Sequence, residues 1–479
     1  MPYQHGVQVS EVGSGFRAIT TSDAGTIFLV SVAPQGDTAT PIVVRDTSDA
    51  AVFGVDHPLN YMRLALNQIF QQGECTVVCV NIFDPANHTV NITNDEQVVR
   101  GGRFRLSGLY TQDNSLDVET TASTPVPLVS GTDYDYDVDT QVVRILNRID
   151  YPDGTTLRAK YTSVTDDLGD VSDADVIGTV TSNVYTGLQA LNITYEQTNR
   201  LPRYIVSPFF DARAAVAAEM VSKAEAYKAL AVIASPKDAT VAEVITGRGN
   251  PSGAVENFNT ASLFALLVYP WVVCSLPYTG EFEKVPASPF LAGALAVRSL
   301  NKGFWASADN YALKGVLDLE TTLRFDPRFQ NTEANDLNAE GIIVVVGANG
   351  GGFKLWGARS AGYPSDTTVV TQYCIRNSMN VISDSLIFSV EQFIGETTSS
   401  AQIENIQASI SGFFDNLQQR GGVIGYKVTF PPAPYNTAND VANGILKFKI
   451  EYLPPASTEF ILLETSINTN LAQVLVTPA

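Results

Sequence analysis

The chain has 479 residues, enough for about three domains of typical size. Apolar residues make up 45% and charged ones 17%, which excludes a disordered or coiled-coil chain. Thirty basic against fifty acidic residues leave a net charge of −20, which argues against phosphate-led binding to nucleic acid and against an anionic membrane surface. Much of the polar surface is then uncharged, and such a chain can bury more of itself against neighbours than a monomer does.

In chain order, residues 6–12 read as an isolated strand carrying Val7, Val9 and Val12. Residues 26–32 form an unbroken apolar run, the pattern of a strand covered on both faces. Helical spacing follows over 61–72 (Leu64, Leu66, Ile69, Phe70), stopped by Gly73, and 75–83 gives another buried strand. A strand–helix–strand order with short connections points to an α/β layer. Between about 95 and 175, sixteen Asp and Glu face seven Arg and Lys, a net of −9; strand alternation dominates and no helix stands out. Extended to residue 194, this stretch reads as an inserted acidic β-rich outer domain.

From about Pro202 the α/β pattern resumes, with a strand at Ile205, an Ala-rich helix over 212–231 and a strand over 231–234. The longest apolar stretch, 261–277, is broken by Pro270 and is too short to span a membrane; it reads as a buried helix followed by a buried strand. Residues 367–379 read as one or two strands. An amphipathic helix covers 400–420, with Ile403, Ile406, Ile410, Phe413 and Leu417 on one face, capped by Ser399 and stopped by Gly421 and Gly422. Strands follow over 426–430, 444–453 and 459–465, before a polar tail. The expected organisation is a multidomain α+β and α/β chain: a body of 21–94 and 195–364, the insert 95–194, a C-terminal domain 365–456, and arms at 1–20 and 457–479.

The chemical search returns no catalytic residue, cofactor or metal site. Cys75 and Cys79 lie on one strand, roughly 13 Å apart and too far to bridge, so the four cysteines read as reduced structural thiols. His5, His57 and His88 stand apart, and His57 and His88 read as solvated loop residues. A phosphate loop needs a helix directly after its glycines, but Gly347–Gly352 runs into Phe353 and Lys354, the pattern of a hairpin. Asp133, Asp135, Asp137 and Asp139 alternate with Tyr134, Tyr136 and Val138; a calcium loop would need glycine at 138 and glutamate at 144, so a strand accounts for them. The N-terminus shows no secretory pattern, and the chain is expected to be soluble and intracellular when made.

Several segments, in order, resemble the tail sheath protein family of contractile-tailed bacteriophages and related contractile injection systems. They are the strand from Gly6; residues 41–44; Phe53-Gly54; Phe70 to Gly73; Tyr269-Pro270-Trp271; Val285-Pro286; Ala292-Gly293; Gly303 to Asn310; Leu337-Asn338; Gly341-Ile342; Leu355 to Arg359; Asn443-Gly444; and Tyr452 to Pro455. The series covers nearly the whole chain except the insert. Two departures stand out: Asn377 follows Arg376 where the family often pairs arginines, and the usual proline near Ala308 is missing.

The resemblance implies a mixed-sheet sheath core, homo-hexameric rings stacked into a helical sheath around a tail tube protein, and baseplate and tail terminator partners. It implies a contractile virion component assembled in the host bacterial cytoplasm, with no direct nucleic-acid contact and no membrane insertion. The terminal strands would join subunits by adding to a neighbour's sheet, through Val7, Val9 and Val12 at one end and Phe460, Leu462 and Thr465 at the other. The helix 400–420 resembles the element that touches the tube. Arg420 is its only basic side chain, so a polar contact through Gln407, Asn416, Gln418, Gln419 and Arg420 takes the place of a charged one. Two other readings compete: another structural tail or baseplate component, and a hydrolase using undetected carboxylates.

Overall fold

The computed structural model describes residues 21–468 except 22, 39, 111–115, 138–139, 167 and 277–279. The expected N-terminal strand, with Val7, Val9 and Val12, lies outside the described residues. The body opens on β1 (Thr26–Ser31), all six residues of which are buried, so it sits inside a sheet covered on both faces. β2 (Ile42–Val44), α1 (Tyr61–Gln72) and β3 (Thr76–Asn81) follow. Helix α1 begins where the Asn60 side chain accepts a hydrogen bond from the Arg63 amide at 3.1 Å, satisfying one of the otherwise orphaned first-turn N–H groups.

The insert is built from β4 (Thr89–Val98), β5 (Arg103–Arg105), β6 (Asp117–Thr120), β7 (Tyr134–Asp137), β8 (Val142–Ile145) and β9 (Thr156–Val164). They form two antiparallel sheets of order β4-β9-β6 and β5-β8-β7 around a core of their own, with Phe104, Val118, Val143, Leu157 and Tyr161. Asp95 is buried here because the Tyr161 hydroxyl and the Ser107 amide both donate to it at 2.8 Å. The acidic composition outlasts this β pairing. α2 (Asp173–Ile177), the hairpin β10 (Val180–Thr181) and β11 (Val184–Tyr185), and α3 (Leu191–Thr198) come next, and Val171, Val176, Leu188 and Leu191 pack into the core of the body. The sequence shows no helix before Asp175, whereas α2 begins at Asp173. Ser172 and Asp175 form a capping box, so an acidic side chain that looks like strand decoration closes a helix end.

The second half of the body contains β12 (Tyr204–Val206), α4 (Ala214–Tyr227), β13 (Leu230–Ala234), α5 (Val241–Gly247), β14 (Ala265–Tyr269), β15 (Val272–Ser275) and β16 (Phe282–Val285). It continues through α6 (Ser288–Lys302), β17 (Ala312–Leu313), β18 (Asp318–Leu319), α7 (Glu333–Ala339), β19 (Ile342–Gly347) and β20 (Phe353–Trp356). A nine-stranded sheet of order β17-β20-β19-β14-β13-β12-β1-β3-β2 results. It is parallel from β19 to β3 and antiparallel at β2, β20 and β17. One face is covered by α1 and α6, the other by α4, α5 and α7. A Cβ on Gly293 of α6 would stand 2.8 Å from the Ile69 carbonyl oxygen, so α1 and α6 meet backbone to backbone there.

Residues 261–277 hold no helix among the described residues: β14 and β15 occupy them. The apolar run is short because Pro270 divides it, and all-round apolarity suits a central parallel strand as well as a buried helix. The expected hairpin at Gly347 is present, β19 pairing antiparallel with β20.

The C-terminal domain comprises α8 (Tyr373–Val390), α9 (Ser400–Gln419), β21 (Gly425–Thr429), α10 (Ala438–Ala442) and β22 (Lys449–Leu453). The strands expected over 367–379 are instead a single turn of tight helix at Val369–Thr371 and the start of α8. Helix α8 buries Cys374, Ile375, Asn377, Ser378, Val381 and Ile382 on several sides, which erases the one-sided pattern that marks a helix. Its Asp384 joins the body through Arg203, fully buried, whose Nη1 donates to Asp384 Oδ2 at 2.5 Å and whose Nε donates to the Asp23 carbonyl at 2.7 Å. Lys228 Nζ lies 3.3 Å from the other Asp384 oxygen.

Both described histidines are buried, against the expectation of solvated loops. His88 Nδ1 accepts from the Asp84 amide at 3.0 Å, and its Nε2 lies 3.3 Å from Asp175 Oδ2, so its turn is packed under α2. His57 Nδ1 accepts from the Leu59 amide at 3.1 Å, and burial lowers its pKa to about 4. The unfolded chain, with an ordinary histidine, binds that proton from about pH 6.5 downward, so stability from neutral His57 is complete above that pH and is lost as pH falls toward 4. The loss is about 3 kcal/mol by pH 4. Urea titrations at pH 7 and pH 4.5 should show a smaller acid loss in His57→Gln than in the parent; equal losses would refute the assignment.

Candidate inter-subunit site

The C-terminal domain is built on α9. Ser399 caps it by accepting from the Gln402 amide at 3.1 Å, and Ile406, Ile410, Phe413, Phe414 and Leu417 form its buried face with Val381 and Ile382 of α8. The Phe414 ring stacks on Tyr426 of β21 at 5.2 Å and meets Tyr452 of β22 at 5.2 Å. These contacts hold the β21–β22 hairpin against the helix in five registered pairs, from Gly425 opposite Leu453 to Thr429 opposite Lys449. Among the described residues this sheet has two strands only, so each strand has one edge with no strand beside it.

Beyond Leu453 no helix or strand forms through residue 468. The chain is first gripped. Gln372 Nε2 donates to the Ser457 carbonyl at 3.1 Å, and Gln372 Oε1 accepts from the Ser457 amide at 2.8 Å, so one side chain holds one peptide by both its groups. Two residues on, Arg359 binds Glu459 with both ends of the fork at 2.6 Å. The Arg359 guanidinium also donates to Thr371 Oγ1 at 2.6 Å and lies over the Tyr363 ring at 4.9 Å. Its pKa is raised, chiefly by the hydrogen bonds to Glu459.

Past Glu459 the side chains lie in solvent through residue 468. Phe460, Ile461, Leu462 and Leu463 are 69–81% exposed, and Thr465 is exposed as well. The strand expected over 459–465 is therefore not formed within one chain. A run of large apolar side chains left in water marks a candidate interaction surface.

The residues of α9 divide. Gln407 donates to the Val428 carbonyl at 3.1 Å and Gln418 to the Ile424 carbonyl at 3.1 Å, so both are engaged with the hairpin. Asn416 and Gln419 are exposed on the outer row, and the exposed Arg420 lays its guanidinium over the Trp305 ring at 5.5 Å. That outer row also presents Glu404, Asn405, Ala408, Gly412 and Asp415, a polar and acidic face. Sequence reasoning missed Arg359 and Gln372 as the grip on the arm. Arg359 stood in a family-like stretch with no visible partner, and nothing in the sequence singles out Gln372.

The family model for the phage tail sheath protein central domain matches residues 183–361, a stretch that starts after the insert's paired strands. The tail sheath protein of Burkholderia phage BcepMu is 31% identical over 470 residues, covering 98% of this chain and 97% of that one. This chain belongs to the phage tail sheath protein family. It is a structural sheath subunit. The fold recurs in the helical sheath of the anti-feeding prophage in its contracted state, with a TM-score of 0.59 and 17% identity over 98% of this chain and all of that one. It recurs too in the six-fold symmetrised baseplate of the anti-feeding prophage, with a TM-score of 0.57 and 14% identity over 98% of this chain and all of that one. Among the described residues no group of three or more His, Cys, Asp or Glu could hold a metal ion, and no helix is long and apolar enough to cross a membrane.

Proposed function

We propose that copies of this sheath subunit stack as rings of six around an inner tail tube and shorten together, driving the tube through a bacterial envelope to deliver a genome or an effector. The observation that carries the reading is the arm gripped at Ser457 and Glu459 and exposed over 460–463, in a domain whose β21–β22 sheet has no third strand among the described residues. Strand addition supplies main-chain hydrogen bonds that survive while subunits swing against one another. Phe460, Leu462 and Thr465 pair with a neighbour's β21–β22 edge; Val7, Val9 and Val12 supply the second strand.

The solved neighbours support this reading, one being a contracted helical sheath and the other a six-fold baseplate. Contraction draws on burial between subunits. At roughly 25 cal/mol per Å² of apolar area, a few hundred extra Å² per subunit give several kcal/mol, multiplied along the tube. The outer row of α9, with Asn416, Gln419 and Arg420, faces the tube, and Gln407 and Gln418 hold the hairpin behind it. The insert faces outward. The partners are the tail tube, the baseplate and the tail terminator, and the subunit assembles in the host cytoplasm into the virion tail.

Electron microscopy of the full chain, alone and with its tail tube protein, tests the proposal. Hollow helical tubes with six subunits per ring are expected in at least one preparation. A chain that stays monomeric in both overturns it.

A further inference from the structure

A knot of polar side chains is sealed inside the body at the carboxyl ends of β12 and β13. Asp211, in the loop from β12 to α4, is fully buried. Its Oδ2 accepts from the Ala234 amide, at the end of β13, at 3.1 Å. Asn257, in the turn before β14, donates its Nδ2 to the Asp211 carbonyl at 3.0 Å and to the Ala234 carbonyl at 2.7 Å. Ser288, the first residue of α6, places its hydroxyl beside the Asp211 carboxyl without a well-formed hydrogen bond. Helix α4 covers one face of the large sheet and α6 the other, so the loop that starts α4 meets the head of α6 here, past the strand ends.

The bonding leaves a remainder. Asp211 Oδ1, Asn257 Oδ1 and the hydroxyls of Ser235 and Ser288 are all buried with no partner. A buried polar atom left unpaired is destabilising, and an unpaired buried charge far more so. Among the described residues no cation answers the carboxylate. Arg213, two residues on, turns its guanidinium to the Val171 carbonyl and Asp173. Arg203, at the other end of β12, is held by Asp384. Lys237 beyond β13 and Glu256 beside Asn257 are exposed, and the first turns of α4 and α6 carry no charge. The groups that act on the carboxyl are neutral: the Ser288 hydroxyl and the amides of Ala234, Asp211 and Ala212. Burial outweighs them and pushes its pKa up to about 7.

We propose that Asp211 is a neutral carboxylic acid in the folded subunit, its proton on Oδ1 shared with the Ser288 hydroxyl, and that this proton locks the head of α6 to the loop before α4 until mild alkali removes it. One proton meets two needs: it takes the charge out of the interior, and it turns an acceptor without a donor into a donor. Ionised, the site holds a desolvated anion that regains water only if the junction opens. An ordinary aspartate in the unfolded chain has lost its proton above about pH 4. Stability from the neutral acid is therefore complete below that pH, is lost as pH rises toward 7, and levels off beyond.

The test is urea unfolding of the full chain and of Asp211→Asn, the neutral isostere, from pH 5 to pH 8.5. The ratio of folded to unfolded chain in the variant, relative to the parent, should grow about a hundredfold between pH 5 and pH 7 and then level off. His57 and every other titrating group is common to both chains and drops out of that comparison. Amide exchange at the heads of α4 and α6, corrected for its intrinsic rate, should quicken above pH 7 in the parent only. A pH-independent ratio overturns the neutral acid, and equal exchange in both chains overturns the lock. Should Asp211→Asn fail to fold, the infrared carbonyl band of a protonated carboxyl decides at pH 6, where ordinary Asp and Glu are ionised. It is read in a chain carrying Asp309→Asn and Glu320→Gln, which removes the other carboxyls that burial raises among the described residues. The band present at pH 6 and lost at pH 8.5 supports the assignment; its absence refutes it. A parent stabilised at pH 8 by sodium or potassium over choline puts a cation among the four oxygens and also overturns the proton.

Discussion

A chain ending at Glu459 is expected to fold, to melt like the parent and to fail to join its neighbours. It keeps the Gln372 grip on Ser457 and the Arg359 fork on Glu459, so the α8 end of the C-terminal domain is undisturbed. It loses the run of Phe460, Ile461, Leu462 and Leu463, which lies mostly in water in the lone subunit. Burying each such side chain on a neighbour is worth about 1.5–3 kcal/mol, and a strand added to an open edge gains main-chain hydrogen bonds besides. The sum per subunit is on the order of 5 kcal/mol or more before the entropic cost of ordering the arm, enough to move assembly by orders of magnitude in concentration. Leu462→Asp should reproduce much of the loss without shortening the chain. Normal tubes from the truncated chain, seen by electron microscopy, would exclude the arm as the link.

The largest effect on the fold is expected at Arg203. Its side chain is wholly buried between the body and α8, with Asp384 as its charged partner. Arg203→Ala leaves Asp384 with Lys228 alone, and Asp384→Asn leaves a buried guanidinium uncompensated. Removing one member of a buried pair costs about 3–5 kcal/mol. Replacing both with apolar residues of similar size, Arg203→Met with Asp384→Leu, should recover most of the loss, because neither charge is then stranded. Urea unfolding of the three variants separates the cases. A double variant as unstable as either single one would mean that the Arg203 bonds to the Asp23 and Lys228 carbonyls, not the ion pair, hold the junction.

What could be read in the sequence was whatever local pattern decides. The run at 26–32, the spacing at 61–72 and the cap at Ser399 each became the expected element because sheet burial, one-sided helix burial and capping leave direct marks. The failures share a cause. At 261–277 and 367–379 the surroundings bury nearly every side, so neither a period of two nor one of 3.6 survives. His57 and His88 stand beside turn residues, and only the tertiary fold brings cover over them. The site divides in the same way. An apolar run at 460–463 is visible as a candidate strand, but that it stays unpaired depends on the rest of the domain. The grip needs Arg359 to meet a residue 100 positions onward and Gln372 one 85 positions onward, which no local signal reports.

That grip has a consequence for how the arm can diverge. Gln372 binds the amide and carbonyl of Ser457 and leaves its hydroxyl out of both bonds. Any residue except proline presents the same two groups, since proline alone has no N–H to give. Sequence drift at position 457 therefore leaves the exit path of the arm unchanged, and the burden of fidelity falls on the glutamine that reads the backbone.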